Sequence, residues 1–184
     1  TRPELIPGCV GISLHQDGEY VRVKKDGEIW LLSKVAAEKF KEEWHLTEES
    51  PAFKGKNLIG QNVMIPLIDR KIKLTHDEAT NPEYGTGFVY YCTYGGVECV
   101  EWMQRHPDVE AITVMNFTGR YTVGKYKGMT SEQAREEVVK DLEQAGVLVL
   151  KEPINHIVNT HERCGHAIEF VEEKQWFIKV LDLK

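Results

Sequence analysis

The distribution of apolar and polar residues over the first third of the chain predicts a strand, a β-hairpin and a helix. Residues 8–15 are typical of a buried strand, and the strand-like runs 20–24 and 29–33 flank Asp26-Gly27, a dipeptide that favours a type I′ turn. Ser33 is placed to cap a helix from residue 34 to about residue 44. Apolar residues recur there at helical spacing while Lys and Glu fill the other face, so this helix should pack on one side only.

Beyond Ser50-Pro51 the same pattern predicts short strands mixed with two further helices. A helix over 131–145 is marked by Thr130 and Gln133 in capping-box spacing and by Gly146 at its end. Strands at 88–94 and 111–115 around a helix at 97–105 form a predicted strand-helix-strand unit. Further strands are expected at 62–68, 71–75, 157–160 and 167–172, the last two joined by a turn at Arg163-Cys164-Gly165.

Short strands outnumber helices, which favours a mixed α/β fold: a β-rich, partly closed barrel with peripheral helices. A length of 184 residues fits one domain. The chain has no starting Met and stops in an apolar run, so we expect a piece of a longer protein.

Composition and charge narrow the class of protein. A hydrophobic fraction of 41% indicates a globular chain with a sizeable core. The 23 Lys and Arg against 29 Asp and Glu give a net charge of −6, which argues against wrapping nucleic acid with the whole surface but allows a local basic patch. No apolar run has the roughly 18 residues of a membrane helix, and the 4 cysteines form no CxxC pair. We therefore expect a cytosolic protein with reduced thiols and no membrane partner.

Three groups of residues are candidate functional sites, although none of their sequence patterns is specific. Gly85-Thr86-Gly87 lacks the third glycine of a dinucleotide fingerprint, so it is more typical of a tight turn than of a backbone cradle for an anionic or carbonyl ligand. His156, His161, Cys164 and His166 are zinc-type ligands, but strand alternation would place the first two on opposite faces, which favours ordinary ribbon residues over a structural zinc. The third group consists of basic residues in a stretch that also contains two tyrosines: Arg120, Lys125 and Lys127. This stretch is typical either of a solvated loop or of a surface that contacts RNA phosphates and bases.

Several short blocks, together and in order, resemble the editing domain inserted in the class I aminoacyl-tRNA synthetases for valine, isoleucine and leucine. Thr1-Arg2-Pro3-Glu4 resembles the opening of that insertion, Gly85-Thr86-Gly87 its central glycine motif, and Gln175-Trp176-Phe177 its return into the catalytic domain. Glu4-Leu5-Ile6, Cys92-Thr93-Tyr94-Gly95 and Val100-Glu101-Trp102 are most similar to valine enzymes of the archaeal type, with leucine and isoleucine enzymes as alternatives.

The resemblance implies a hydrolase that accepts the 3′ end of a mischarged tRNA and cleaves the aminoacyl ester, with threonine on the valine tRNA as the first candidate. A hydrophobic synthetic pocket cannot strongly reject an isostere that adds a hydroxyl, so a second, polar pocket destroys the wrong product. Residues 1–184 would be one editing domain within a longer synthetase, and about 153–184 would return as a β-ribbon toward its catalytic domain. Editing would need no cofactor, whereas the parent synthetase would use ATP.

The resemblance also implies site residues. Arg2 matches the arginine expected near the terminal adenosine or its phosphate, and Thr1 matches the threonine expected beside the ester. The implied substrate-binding positions are Gly85, Thr86, Gly87, Cys92, Thr93, Gly96 and Cys99.

The chain departs from the family pattern at two of these positions. Archaeal-type relatives carry aspartates where this chain has Gly96 and Cys99, and bacterial relatives carry lysine where Tyr90 stands. Glu98 is the carboxylate assigned a catalytic role instead, although on a helix it would point about 100° away from Cys99. Three alternatives stay open: an active deacylase, a catalytically weakened module that positions tRNA, and a zinc-stabilised interaction domain.

Overall fold

Two β-sheets organise the chain in the computed structural model, which describes residues 2–48, 50–153, 155 and 157–183. The first sheet has the strand order β6-β7-β1-β8. Strand β1 lies at its centre, parallel to β7 and antiparallel to β8. The bounds are Cys9–Leu14 for β1, Asn62–Met64 for β6, Lys71–His76 for β7 and Val89–Cys92 for β8.

The second sheet is built on the predicted hairpin, which is confirmed. Strands β2 and β3 pair antiparallel, and Asp26 and Gly27 between them both have positive φ, 50° and 88°, as a type I′ turn requires. Strands β4 and β5 pair with β2. The bounds are Glu19–Lys25 for β2, Glu28–Ser33 for β3, Thr47–Glu48 for β4 and Phe53–Lys54 for β5.

The mixed α/β class is confirmed, but the sheets stay open. The first sheet runs in line from edge strand β6 to edge strand β8 rather than closing on itself into a barrel. Its edge strands have only three and four residues, which is too short to wrap around and pair with each other.

Within the described part of the chain, three α-helices pack beside the sheets. Helix α1, Lys34–Phe40, starts at Ser33, whose hydroxyl accepts a bond from the Ala36 N–H, and it ends earlier than the predicted residue 44. Helix α2 spans Val97–Arg105 as predicted. Helix α3, Ser131–Gln144, begins with the predicted capping box and buries its apolar face of Ala134, Val138 and Leu142. No helix within the described residues is long and apolar enough to cross a membrane.

The core holds α2 against the first sheet. Trp102 of α2 is 1% exposed, stacks on Tyr91 of β8 and donates a hydrogen bond to Ser13 of β1. A Cβ at Gly11 would come within 2.4 Å of the Trp102 ring, so only glycine allows this approach. The loop between β8 and α2 is therefore fixed by packing at both of its ends.

Two stretches of predicted strand differ from the observed structure. Residues 111–115 form no strand, so the predicted strand-helix-strand unit is wrong; Met115 makes an isolated bridge with Tyr121 instead. The Ile112 N–H bonds to the Thr93 hydroxyl rather than to a neighbouring strand, which explains the loss of ladder pairing. The strands predicted at 157–160 and 167–172 are also wrong, because Thr160 and Ala167 pair only in another isolated bridge. Residues 3–8, for which the pattern predicted no helix, form a 3₁₀ helix, Pro3–Gly8.

Candidate functional site

Arg2 stands where three separate segments of the chain meet. Its Nε donates to Glu4 Oε1 at 3.0 Å, its Nη1 to the Gly95 carbonyl at 3.1 Å and its Nη2 to Glu169 Oε2 at 2.7 Å. The side chain is 27% exposed. A guanidinium has five N–H donors, so among the described contacts two of them stay available to a ligand.

Glu4 is the buried partner of Arg2. The carboxylate is fully buried and receives two further bonds from Arg135 of α3, at 2.8 and 2.9 Å. Burial alone would raise the pKa of Glu4, but the bonds from Arg135 and Arg2 outweigh it and hold that pKa below its ordinary value. Glu4 is therefore ionised, and it fixes the position of Arg2.

The Gly95 carbonyl connects Arg2 to the amino end of α2. Gly96 caps this helix in an extended conformation, with φ −179°, and a Cβ there would lie 3.2 Å from the Glu98 carboxylate. A Cβ at Gly95 would meet the Cys99 sulfur at 3.2 Å. The structure thus brings Arg2, Gly96, Glu98 and Cys99 to one end of α2, as the assignment of these residues to one pocket requires.

Cys92 and Tyr90 lie on β8, just before this loop. Cys92 is buried opposite Cys9 of β1, and all four cysteines are free. The contact with the Cys9 sulfur and burial both raise the pKa of Cys92, so it stays a neutral thiol. Burial also raises the pKa of Tyr90, with the two sulfurs adding to the effect.

Thr93 serves the fold in this structure. Its side chain is buried, and its hydroxyl accepts from the Ile112 N–H at 2.9 Å and lies 3.5 Å from the Gly8 carbonyl. Its own N–H donates to the same carbonyl. The hydroxyl is thereby occupied by contacts within the protein, and a substrate-binding role for Thr93 stays a prediction.

Gly85-Thr86-Gly87 lies at the opposite end of β8 from Arg2. The two ends are separated by the four residues of the strand, about 13 Å at the usual rise. The Thr86 carbonyl accepts from the Ser33 N–H, the Gly87 carbonyl accepts from the Tyr20 hydroxyl, and a Cβ at Gly87 would sit 2.4 Å from that of Ser33. Here Gly87 is closely packed in a turn, whereas Gly85 and Thr86 are exposed, and β8 separates the motif from Arg2.

The basic stretch is exposed but partly neutralised. Lys125 pairs with Asp141 of α3, and the Tyr126 hydroxyl donates to the same carboxylate. Arg120 makes one long bond to the Gly128 carbonyl, at 3.4 Å, and Lys127 is exposed. A cavity of about 560 Å³ opens beside Lys125 and Tyr126, with Arg70 and Asp141 also in its lining.

The weak zinc candidates lie in the C-terminal segment. Cys164 and His161 approach to 3.4 Å, and the backbone and side chain of His166 lower the pKa of the Cys164 thiol. His156 falls outside the described residues, as does Thr1. Within the part of the chain that the structure describes, no three His, Cys, Asp or Glu side chains are arranged to hold a metal ion.

Sequence reasoning missed three members of the Arg2 cluster: Glu4, Arg135 and Glu169. Glu4 was noted only as part of the opening motif, and its burial gave no signal. Arg135 is 131 positions from Glu4, and Glu169 is 167 positions from Arg2, so no local spacing links these charges.

Comparison with known sequences identifies relatives along the whole chain. No family model matches. The valine–tRNA ligase of Pyrococcus horikoshii is 35% identical over 188 residues, that of Archaeoglobus fulgidus 33% over 182 and that of Methanocaldococcus jannaschii 34% over 185. These alignments cover 100%, 98% and 100% of this chain but only 17% of the length of each relative.

Solved structures give the fold independently. The leucyl-tRNA synthetase domain GlLeuRS-CP1 superposes with a TM-score of 0.69 at 15% identity, over 83% of this chain and 82% of its own. The editing domain of the P. knowlesi cytosolic leucyl-tRNA synthetase gives 0.59 at 13% identity, over 78% and 79%. The chain is therefore similar in sequence to one segment of archaeal valine–tRNA ligases and has the fold of a leucyl-tRNA synthetase editing domain, as its short motifs predicted.

Proposed function

We propose that this chain is an aminoacyl-tRNA deacylase domain that hydrolyses threonine wrongly attached to the valine tRNA. The full-length match to valine–tRNA ligases and the editing-domain fold support this assignment. The observation that carries it is Arg2, held by Glu4, Glu169 and the Gly95 carbonyl with two N–H donors to spare at the amino end of α2.

In this proposal the site residues position the substrate, and a water molecule rather than a side chain attacks the ester. Arg2 binds the terminal adenosine or its phosphate, and Glu98 supplies a carboxylate at the amino end of α2. The family resemblance assigns Thr1 to the ester. Water adds to the ester carbonyl, the ribose oxygen leaves with a proton, and free threonine and tRNA result. Fixed donors and correct placement suffice for such an ester. The step uses no cofactor, while the longer synthetase would consume ATP.

The partners follow from the same reaction. They are the 3′ end of the charged tRNA and the remainder of a longer synthetase chain, in the cytoplasm. The polar pocket accepts the hydroxyl of threonine and gives valine no equivalent contact, which protects the correct product.

A second candidate function is a weakened module that positions tRNA without efficient hydrolysis. Gly96 and Cys99 favour it, because neither supplies the negative charge that relatives place there. A charge-assisted hydrogen bond contributes roughly 1.5 to 3 kcal/mol, so its loss would slow the reaction about ten- to a hundredfold.

A deacylation assay on threonyl- and valyl-tRNA separates the two. We expect slow, threonine-selective hydrolysis by the wild-type chain and a roughly tenfold or greater increase for Cys99→Asp, alone or with Gly96→Asp. The extended backbone of Gly96 accepts aspartate without strain. Cys99→Ser, similar in size and neutral, is the matched control. Failure of both the wild-type chain and Cys99→Asp to hydrolyse threonyl-tRNA would contradict the deacylase and leave the positioning module.

A further inference from the structure

Glu169 differs from the rest of the C-terminal segment. Within residues 157–182 it is the one half-buried residue, and the others are exposed to solvent. Its Oε2 accepts from Arg2 at 2.7 Å, and its Oε1 accepts from the Ser131 hydroxyl at the start of α3 at 3.0 Å. These two bonds fix the segment to the domain at this carboxylate.

The carboxylate of Glu169 stands beside the loop that lacks its aspartates. Two neighbouring nitrogens of Arg2 bind it and the Gly95 carbonyl, so these two acceptors flank one guanidinium. Gly96 follows immediately in the chain. A negative charge is thus present at this end of α2, although it comes from a different part of the sequence.

A small cleft next to Glu169 fits a cationic group. Two carboxylates, Glu169 and Glu172, line it together with Thr93 and Tyr94, and among the described residues no Lys, Arg or His contributes to the lining. Its volume of about 10 Å³ accommodates one water-sized group, which is also the size of an ammonium. The Tyr94 phenol stays protonated, because its burial and the nearby Glu172 both raise its pKa.

We propose that Glu169 accepts the α-ammonium of the aminoacyl ester and so replaces part of the charge that Gly96 and Cys99 do not supply, the rest being what Cys99→Asp would restore. This inference rests on the proposed function. An aminoacyl ester carries its ammonium and its carbonyl oxygen on adjacent carbons, and the Arg2–Glu169 pair offers a donor and an acceptor side by side. An ionised carboxylate has about four acceptor positions, of which Arg2 and Ser131 use two. The side chain is 22% exposed and within reach of a ligand.

Glu98 is the weaker acceptor for the same ammonium. It is exposed on the first turn of α2, where solvent and salt screen its charge. Glu169 is half-buried, and a charge pair that is partly shielded from water interacts more strongly.

Binding of two non-hydrolysable adenosine analogues tests the proposal without depending on hydrolysis. One carries threonine through a 3′-amide, and the other carries the corresponding hydroxy acid, in which a hydroxyl replaces the ammonium. We expect the wild-type chain to prefer the amino compound about tenfold or more, and Glu169→Gln to abolish that preference. Glutamine preserves the shape and the acceptor oxygen, and exposed Glu173→Gln on the same segment is the matched control.

The alternatives give different results. Equal weakening of both analogues by Glu169→Gln would show that Glu169 only orients Arg2, and a preference lost in Glu98→Gln instead would place the acceptor on α2. Either result overturns the inference, as does a wild-type chain that shows no preference or binds neither analogue. Selective binding without hydrolysis of threonyl-tRNA would instead contradict the proposed deacylase while the ammonium contact stands.

Discussion

Glu4 shows how much of the site depends on one buried charge. It is fully buried and ionised only because Arg135 and Arg2 surround it, so it links α3 to Arg2. Removing the Glu4 charge leaves both arginines uncompensated, and because Arg2 and Arg135 are 27% and 47% exposed, the cost is about 1–3 kcal/mol, below that of a fully buried pair. We expect Glu4→Gln to lower the free energy of unfolding by that order, measured by urea unfolding at neutral pH. Glu136→Gln, on the exposed side of α3, should change it little.

The same carboxylate gives a pH dependence of defined sign. Its folded pKa lies below the ordinary 4.5, so its stabilisation is present above that value and is lost as the pH falls through the folded pKa. Between neutral pH and about pH 3 the wild-type chain should therefore lose more unfolding free energy than Glu4→Gln. Parallel acid profiles for the two proteins would contradict an ionised Glu4.

At the scale of elements, short sequence patterns were sufficient to predict those helices and turns whose structure depends on a few adjacent residues. The Asp26-Gly27 hairpin and the capping box of α3 were both predicted from a few adjacent residues. The parallel pairing of β1 with β7 joins Ile12 to Leu74, and no local pattern encodes it. Residues 111–115 look strand-like because Val114 and Met115 are buried, but they fill the core without joining a sheet.

The cap of α3 carries a prediction for the element as a whole. The Thr130 hydroxyl accepts from the Gln133 N–H, and the Gln133 side chain accepts from the Thr130 N–H. Losing such a cap typically costs about 1 kcal/mol. Thr130→Ala should lower the unfolding free energy by that amount in urea, whereas Thr113→Ala, at an exposed loop position, should not. An unchanged stability would mean that packing of α3 alone fixes its start.

At the scale of the whole molecule, the site combines what sequence could and could not predict. Resemblance pointed to Arg2 and the end of α2, because those positions belong to contiguous motifs. It also grouped Gly85-Thr86-Gly87 with them, yet β8 separates that turn from Arg2. Arg135 and Glu169 reach the cluster from distant segments, and only the tertiary fold brings their charges together.

Association with tRNA, which the proposed function requires, depends on the charge of the entire surface. A net charge of −6 repels a polyanion, so binding must rely on a local patch and should be weak and sensitive to salt. Arg120, Lys125 and Lys127 are all exposed, but Lys125 is paired with Asp141, which leaves Arg120 and Lys127 as the cations to test. Each phosphate contact contributes roughly 0.7 to 0.9 to the slope of log affinity against log salt.

Replacing both of these cations should therefore weaken binding and flatten that slope. We expect Arg120→Ala with Lys127→Ala to reduce the slope by up to the contribution of about two phosphate contacts. The slope is measured by titrating labelled tRNA at several salt concentrations. Lys41→Ala with Lys56→Ala removes the same charge from the region of the second sheet and serves as the control, with the slope preserved. Only lost phosphate contacts change the number of ions that are released on binding. If the control pair flattens the slope and the first pair does not, the tRNA therefore contacts the second sheet rather than the stretch beside α3.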